Sequence, residues 1–571
     1  MTRFATNPVA RPSSSVGRRL IELGSAGVRR TTPTPSSTEI MPSVFASRAI
    51  LILAAATAAL LLAPHVDFVP MWDGWAYAEC AMDVAANRFS LVFLRCYGHP
   101  AYIYSGVLGA FQLLDLGNQF LLVLVNGAVL ALATVGFHRL MRRTFPGTGH
   151  EADVALLTAA FLLQPPFLAS VVQPSLDLPV LTGTIWCVAL LVERRWFWCA
   201  AAGTALAFSK ETGVLLFAVL LACYVVWVLA RTPGTFTARL RALIPLTPTV
   251  APLVAYAGYV ITFRVFRPGE SPVWTSTTGP PLLERLLVPR IDAGVRSYLA
   301  LLFVLNFAWL PATWIAVDAA AGVVRLALRR SARVIAEADR AVIGFLTLAA
   351  VATVFALTRF TTFSNVRYVM AGTGLLLPLA YVALVRLGIG PSARRVALGT
   401  YSALLVVSAV RTVDPVSRRL WGTFAFGSHR MLDMTSITAE CCGVGRDQLV
   451  YSLEFTRFHD LTDSVVATLV RDTATVIGVP RGMEYYTVGR LDLATWRRTL
   501  RRTGAFRPTV WDRVWVFASA TTAPQSMVYI AMPNARDSVK LRLLSNRYVV
   551  GPERRFEADG YALSAYELRL R

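Results

Sequence analysis

Long apolar runs separated by short arginine-rich segments constrain this chain more than any other feature of its sequence. A straight membrane-spanning helix needs about 20 apolar residues, and most of the runs approach that length. The shorter run at 196–209 must extend into its flanking residues. The pattern predicts a polytopic α-helical membrane protein with about 11 transmembrane helices. The apolar runs lie at 46–64, 119–137, 153–172, 176–192, 196–209, 212–230, 243–264, 298–325, 341–358, 367–388 and 395–411.

The composition agrees with a membrane protein and excludes a water-soluble globule. Of 571 residues 55% are hydrophobic and 16% are charged, whereas soluble proteins carry about 25% charged residues. The net charge of +22 is high enough for a nucleic-acid binder. The arginines, however, stand in clusters between apolar runs and form no continuous basic stripe, so no nucleic-acid partner is expected. Seven cysteines without a C-x-x-C motif argue against a zinc or redox framework.

The arginine clusters also predict the topology, because arginine collects in short cytoplasmic loops. With eleven spans, the five predicted inside connections are all arginine-rich and the N-terminus lies on the same cytoplasmic side of the inner membrane. The exception is the outside segment 265–297, whose four arginines are partly offset by three acidic residues. This assignment requires that 101–114 does not cross the membrane, so we expect an interfacial or re-entrant helix there. The predicted inside segments are 138–150, 193–195, 231–241, 325–340 and 386–395, and the outside segments are 65–118, 173–175, 210–211, 265–297 and 359–366.

Composition shifts divide the chain into three parts. Residues 1–45 are rich in Ser, Thr, Pro, Gly and Arg and are predicted to be a disordered cytoplasmic tail. The membrane domain at 46–411 includes the long first outer loop 65–118. From 412 to 571 no span-length apolar run remains, and we expect an extracytoplasmic α/β domain. Its helix-like stretches are 461–471 and 493–502, and its strand-like runs are 475–479, 513–518 and 527–532.

The first outer loop contains a carboxylate among aromatic residues. Asp73 stands between Trp72 and Gly74, and Trp75 and Tyr77 follow. Burial at the membrane surface would raise the pKa of this carboxyl toward the range of a general base. The alternative is an interfacial aromatic belt with one solvated acid.

Further ionisable residues fall in the predicted outer segments. Asp177 begins a span, and Lys210 is the only lysine of the membrane region. An ammonium group can hold a phosphate as a compact charge, although a local ion pair of Lys210 with Glu211 is the plainer interpretation. Arg359 and Arg367 could clamp a phosphate or could be snorkelling arginines. If the predicted topology holds, these groups share one rim of the helical bundle.

Cysteine and histidine residues of the outer segments leave alternatives open. Cys80 and Cys96 share a loop in which oxidation is permitted, and a disulfide and two thiols are both compatible with the sequence. His99 could contact a substrate or could simply form a turn with Pro100. The remaining cysteines are a vicinal pair in the outer domain, Cys441 and Cys442, and three small packing residues, Cys187, Cys199 and Cys223.

The order of these parts resembles the GT-C membrane glycosyltransferases, in particular the protein O-mannosyltransferase and aminoarabinose-transferase-like branch. The resemblance covers about 46–411. Two departures leave the branch open: Gly74 stands where the family often has Glu, and Ala101 stands where it often has a second Pro. The similar motifs are WDGWAY at 72–77, GHP at 98–100, SLDLP at 175–179, AFSKETG at 207–213 and NVRYVMAG at 365–372.

The resemblance implies an inverting transfer of a sugar from a polyprenyl-phosphate donor on the outer face of the membrane. It makes Asp73 the catalytic base, Asp177 a second acid on the acceptor side, and Lys210 and Arg367 phosphate ligands. Protein, lipid and glycan acceptors stay open. A divalent cation between the two acids also stays open, although two acids far apart in sequence are not a metal motif. The other candidate substrate contacts are Arg359, His99 and Tyr77.

Two other functions compete with a transferase. A transporter or flippase for a lipid-linked or anionic solute would place functional charges near the bilayer midplane, whereas here they fall at span ends. A non-catalytic membrane scaffold presenting the C-terminal domain would not need Asp73 at all.

Overall fold

The architecture is a bundle of apolar helices followed by a small sheet domain. The computed structural model describes residues 37–66, 72–89, 98–267, 301–328, 340–360, 365–410, 415–421, 425–426, 429–430, 477–479, 514–516, 525–531, 535–558 and 560–571, with isolated residues between these ranges. The predicted tail lies outside the described residues up to residue 36. The first helix begins at Ser37, nine residues before the predicted apolar run.

The helices of the membrane part follow the predicted apolar runs closely. In chain order they are α1 Ser37–Leu62, α2 Trp72–Ala86, α3 Tyr102–Gln112, α4 Gln119–Thr144, α5 Glu151–Leu162, α6 Pro165–Val172, α7 Asp177–Val192, α8 Trp196–Ala207, α9 Glu211–Arg231, α10 Phe236–Arg241, α11 Ala251–Phe266, α12 Trp309–Ala327, α13 Arg340–Phe360, α14 Met370–Arg386 and α15 Pro391–Ala409. Short 3₁₀ helices precede α11, α12 and α14, at Ile244–Val250, Leu305–Phe307 and Val366–Val369.

Seven helices in the described part are long and apolar enough to cross a membrane, and an eighth span results if α5 and α6 count as one. This pair is bent by 50°, because Pro165 and Pro166 interrupt the helical hydrogen bonds. Helices α7 and α8 are apolar but shorter. The chain is therefore a multi-pass membrane protein, and eleven spans remain a prediction.

Ion pairs connect helix ends within the bundle. They join segments that the arginine pattern assigned to one common side. Buried Asp153 at the start of α5 binds two arginines at the start of α15, and Asp318 of α12 binds the last residue of α14. Arg139 Nε and Nη2 both donate to the Glu193 carboxylate. The other contacts are Asp153 Oδ2 to Arg394 Nε at 2.8 Å, Asp153 Oδ1 to Arg395 Nε at 3.2 Å, and Asp318 Oδ2 to Arg386 Nη1 at 3.4 Å.

In its described residues, the first outer loop contains two helices rather than one. Helix α3 lies within the predicted interfacial segment, and its 11 residues span only about 16 Å. Helix α2, which the sequence did not predict, packs against α3. A disulfide joins Cys80 of α2 to Cys96, and Cys96 pairs with His99 through backbone hydrogen bonds of 3.2 and 2.7 Å. The described residues of this segment therefore pack together as a folded unit.

The C-terminal part contains a mixed six-stranded sheet with the order β4-β3-β5-β8-β6, in which β7 also pairs with β8. Parallel pairing joins β3 to β4 and β5, and β8 is antiparallel to β5, β6 and β7. The three predicted strands correspond to β3, β4 and β5, whereas the predicted helix at 493–502 lies outside the described residues. The elements are α16 Pro415–Trp421, β1 Ala425–Phe426, β2 His429–Arg430, β3 Ile477–Val479, β4 Val514–Val516, β5 Ser526–Ala531, α17 Ala535–Leu544, β6 Tyr548–Val550, β7 Arg554–Ala558 and β8 Tyr561–Leu570.

Candidate functional site

Four charged residues singled out in the sequence meet where several helices begin. Asp73 is the second residue of α2 and Asp177 is the first residue of α7. Lys210 immediately precedes α9, and Arg367 lies in the short helix before α14. The first turn of a helix leaves backbone N–H groups without helical partners and carries a partial positive charge. The helix starts therefore add a positive potential around these side chains.

Asp177 is the central acid of this cluster. Its Oδ1 lies 2.8 Å from Lys210 Nζ, and its Oδ2 lies 3.5 Å from Arg367 Nε. All three side chains are more than 90% buried. The Asp177 backbone N–H donates to Ser175 Oγ at 3.1 Å, which fixes the start of α7. One buried carboxylate thus forms ion pairs with two cations.

Asp73 joins the cluster through Arg367. Arg367 Nη2 donates to Asp73 Oδ2, and the Asp73 side chain is 46% exposed. Asp73 is therefore a half-exposed member of an ion pair and not an acid desolvated by aromatic neighbours. The side chains of Trp72 and Trp75 lie outside the described residues. Asp73 remains the acid of this cluster that solvent or a substrate hydroxyl can reach.

Tyr368 is a site residue that sequence reasoning missed. Lys210 Nζ lies 4.3 Å from the centre of its ring, and Arg367 Nη2 lies 3.3 Å from its hydroxyl oxygen. An aromatic ring attracts a cation through the negative charge of its face. The Arg-Tyr step of the NVRYVMAG motif is the sequence signal for this residue, but the motif alone indicates no role for the tyrosine. Tyr368 contacts both cations of the cluster.

The protonation states of Lys210 and Tyr77 follow from their surroundings. Burial lowers the pKa of Lys210, but Asp177 and Tyr368 raise it, and the net pKa lies above the ordinary value. Burial raises the pKa of the Tyr77 phenol well above its usual range, and the charge of Asp73 raises it further. Near neutral pH the lysine is therefore a cation and Tyr77 a neutral hydroxyl.

His99 and Glu211 form a separate pair beside this cluster. His99 Nδ1 lies 2.9 Å from both carboxylate oxygens of Glu211, and its ring centre lies 6.3 Å from that of Tyr77. The local Lys210–Glu211 ion pair considered from the sequence is not formed, because Lys210 turns to Asp177. Glu211 therefore pairs with His99, and Lys210 pairs with Asp177.

Two glycines explain how the helix starts approach so closely. A Cβ on Gly74 would lie 2.5 Å from Gln173 Cδ, and one on Gly213 would lie 1.9 Å from the carbonyl oxygen of Leu206. Neither distance is compatible with ordinary packing. The glycine at 74, which departs from the resembled family pattern, makes room for Gln173, which follows α6 just before α7 begins.

The remaining sequence candidates have less direct positions. The Arg359 guanidinium lies 5.6 Å from the ring centre of Phe355 on its own helix, so its substrate contact remains a prediction. The described residues contain no group of three or more His, Cys, Asp or Glu side chains that could hold a metal ion. Cys80 and Cys96 are bridged. Cys187, Cys199 and Cys223 are buried thiols, and Cys441 and Cys442 lie outside the described residues.

This arrangement suits an anionic ligand and a proton transfer. A phosphate that approached Lys210 and Arg367 would replace carboxylate oxygens with its own and would form charge-assisted hydrogen bonds. Because Arg367 also holds Asp73, such a ligand would compete with Asp73 for the same guanidinium. The two acids share a cation already, so a divalent metal ion between them would have to displace that guanidinium.

Comparison with known proteins finds similarity at the level of structure. No protein-family model and no curated protein sequence matches the chain. Two crystal structures of ArnT from Cupriavidus metallidurans do. The undecaprenyl phosphate-bound structure is 14% identical with a TM-score of 0.50 over 93% of this chain and 98% of ArnT. The apo structure is 15% identical with a TM-score of 0.51 over 91% and 98%. The chain therefore shares the fold of these ArnT structures.

Proposed function

We propose that this protein transfers a sugar from a polyprenyl-phosphate-linked donor to a hydroxyl group of an acceptor at the outer face of the membrane. The observation that carries this proposal is the continuous chain of contacts from Asp73 through Arg367 and Asp177 to Lys210. It combines one accessible acid with two cations at a single end of the bundle. The undecaprenyl phosphate bound to the ArnT structure of the same fold supports a lipid-phosphate donor.

In the proposed reaction the donor phosphate binds Lys210 and Arg367. Arg367 then turns from Asp73 to the phosphate, and the Asp73 carboxylate becomes free to act as a base. The acceptor oxygen forms a bond to the anomeric carbon while its proton passes to Asp73. The bond between the anomeric carbon and the phosphate oxygen breaks, and polyprenyl phosphate leaves with the electron pair. This single displacement inverts the anomeric carbon.

The cations contribute most when charge develops on the leaving phosphate. Loss of one donor of this kind costs typically 100- to 1,000-fold in kcat, because the groups are already oriented in a water-poor site. Both cations contact Tyr368, with Lys210 Nζ 4.3 Å and the Arg367 guanidinium 5.1 Å from the centre of its ring. Asp177 holds the same two cations in place before the donor arrives.

The proposed orientation has the N-terminus in the cytoplasm, and the site and the C-terminal domain outside. Arginine-rich connections at the opposite end of the bundle support it. Trp309, the first residue of α12, donates from Nε1 to Ser417 Oγ in α16 at 3.0 Å. Helix α16 leads into the sheet domain. Leu305, in the short helix just before Trp309, packs in one buried cluster with Val366 and Val369 of the short helix that carries Arg367. Trp309 therefore lies at the same end of the bundle as Arg367.

The test is donor turnover by the full-length protein. Purified protein in nanodiscs, with membrane extract as the source of acceptor, is given a radiolabelled polyprenyl-phosphate sugar, and released polyprenyl phosphate is measured. We expect release by the wild type and a loss of at least 1,000-fold in Asp73→Asn. Asp115→Asn is the matched control, because Asp115 lies in the same outer segment and its contact with Asn118 tolerates an amide.

A transporter or flippase would give a different result. It would move a labelled polyprenyl-phosphate sugar across a vesicle bilayer without cleaving it, and Asp73→Asn would leave that movement in place. Undiminished polyprenyl phosphate release by Asp73→Asn would remove Asp73 from the role of base, and movement without any cleavage by the wild type would refute the transferase.

A further inference from the structure

A cavity lies at the end of the bundle opposite the candidate site. It has a volume of about 590 Å³ and lies between the last turn of α4, the turn from α7 to α8, the second half of α9 and the start of α13. None of its lining residues belongs to the proposed catalytic machinery. Its charged lining side chains are four arginines and one glutamate: Arg139, Arg143, Arg194, Arg195 and Glu193.

The arrangement of these charges favours an anion. Glu193 is already shared by two cations, since Arg139 binds it through two nitrogens and Arg195 Nε lies 3.2 Å from Oε2. The lining residues comprise four arginines and one carboxylate, so the cavity has an excess of positive charge. The 21-residue helix α13 begins at the cavity with Ala341 and Val342 in its wall, and the positive end of its dipole adds to the same potential.

The turn that carries Arg194 is unusual for an arginine. Its φ angle of 58° is in the left-handed region, where the residue after a helix is commonly Gly or Asn. Here the backbone N–H of Arg194 donates to the Leu191 carbonyl and closes the helix. The conformation directs the arginine into the lining of the cavity.

The opposite wall is aromatic. Tyr224 and Trp227 of α9 lie with ring centres 5.2 Å apart, and Phe345 of α13 lies 5.2 Å from Tyr224 and 6.0 Å from Trp227. Beyond Phe345 the next turns of α13 expose Leu348 and Val351 by 37% and 63%. A ligand in this cavity therefore meets guanidinium groups at one side and an apolar helix surface, within a span, at the other.

We infer that this cavity binds the headgroup of an anionic phospholipid, with its phosphate among the arginines and an acyl chain along α13. Arginine is suited to phosphate because its planar fork donates two parallel hydrogen bonds. A free phosphate would satisfy the arginines but would leave the aromatic wall and the apolar face of α13 without a role. In the proposed orientation the lipid belongs to the cytoplasmic leaflet.

The test uses purified, delipidated full-length protein and native mass spectrometry. Dioleoyl phosphatidylglycerol, dioleoyl phosphatidylcholine and glycerol 3-phosphate are titrated in parallel. We expect phosphatidylglycerol to bind best, and Arg143→Gln with Arg194→Gln to weaken it about 30-fold, at the usual contribution of an arginine near a lipid phosphate. Arg239→Gln with Arg241→Gln is the matched control, since both arginines are exposed on α10 outside the cavity.

Two results would overturn the inference. Equal binding of phosphatidylcholine and phosphatidylglycerol, or equal weakening by the control pair, would indicate general association of lipid with the bundle. Binding of glycerol 3-phosphate as tight as that of the lipid would assign the cavity to a soluble phosphate. If the double variant fails to fold, Arg194→Gln alone, at an exposed turn residue, should weaken phosphatidylglycerol about fivefold.

Discussion

At the scale of single residues, the main physical feature of the site is one buried carboxylate that forms ion pairs with two buried cations. Asp177 contacts Lys210 and Arg367, which are nearly as buried as it is. Removing one member of a buried pair is costly because it leaves an uncompensated charge in a medium of low polarity. The two members of the Asp177–Lys210 pair are not equivalent, since Asp177 keeps Arg367 when the lysine is lost.

This asymmetry gives a double-mutant prediction. Asp177→Asn should lower the free energy of unfolding by about 3–5 kcal/mol, and Lys210→Met should lower it by less. The double variant should lose about 1–3 kcal/mol less than the sum of the single losses, because the two side chains interact directly. Unfolding in detergent measures all three. Strict additivity would show that Lys210 and Asp177 do not interact in the folded protein.

The second lysine of the chain provides a control for the role of Lys210 in donor turnover. Lys540 is the only other lysine of the chain and belongs to α17 of the sheet domain. Lys540→Gln should leave donor turnover unchanged, whereas Lys210→Gln should reduce it at least 100-fold if the lysine binds the leaving phosphate. Similar turnover in the two variants would contradict the phosphate role of Lys210.

At the scale of elements, the site depends on helix starts that are held close together. Gly213 in the first turn of α9 lies against the backbone of Leu206 in α8. Gly213→Ala should force the two helices apart, lower stability by at least about 1–3 kcal/mol and displace the neighbouring Lys210. The thermal unfolding midpoint and donor turnover should fall together.

Gly258→Ala in α11 is the matched control. A Cβ at this position meets nothing within 4 Å, so the substitution should be neutral or stabilising, because alanine favours a helix by about 1 kcal/mol over glycine. An equal loss in both variants would show that close approach at Gly213 is not the cause.

The disulfide gives a second prediction at this scale. Cys80 and Cys96 are 16 residues apart and tie α2, which carries Asp73, to the segment before α3. Replacing both by Ala should lower stability by about 3 kcal/mol, the chain-entropy value for a loop of this length. It should also loosen the position of Asp73 and reduce turnover. Cys187→Ala, which removes a buried thiol from the bundle, should reduce stability without a specific effect on turnover.

At the scale of the whole molecule, periodicity and arginine placement predict the helical bundle and the fold, because apolar length and loop charge are properties of contiguous sequence. Helix α2 was missed, since its aromatic and acidic residues were interpreted as a loop. The pairing of charges could not be predicted either. Whether Lys210 turns to its neighbour Glu211 or to Asp177, 33 residues away, depends on how separate helix starts meet. For the same reason His99 finds Glu211 across 112 residues.

The phosphate role of Lys210 and Arg367 is tested most directly by an experimental structure of the protein in nanodiscs with polyprenyl phosphate. We expect the phosphate to lie within hydrogen-bonding distance of both Lys210 Nζ and the Arg367 guanidinium, and Arg367 to have released Asp73. A phosphate bound elsewhere, with the Asp73–Arg367 and Asp177–Lys210 contacts intact, would contradict this role.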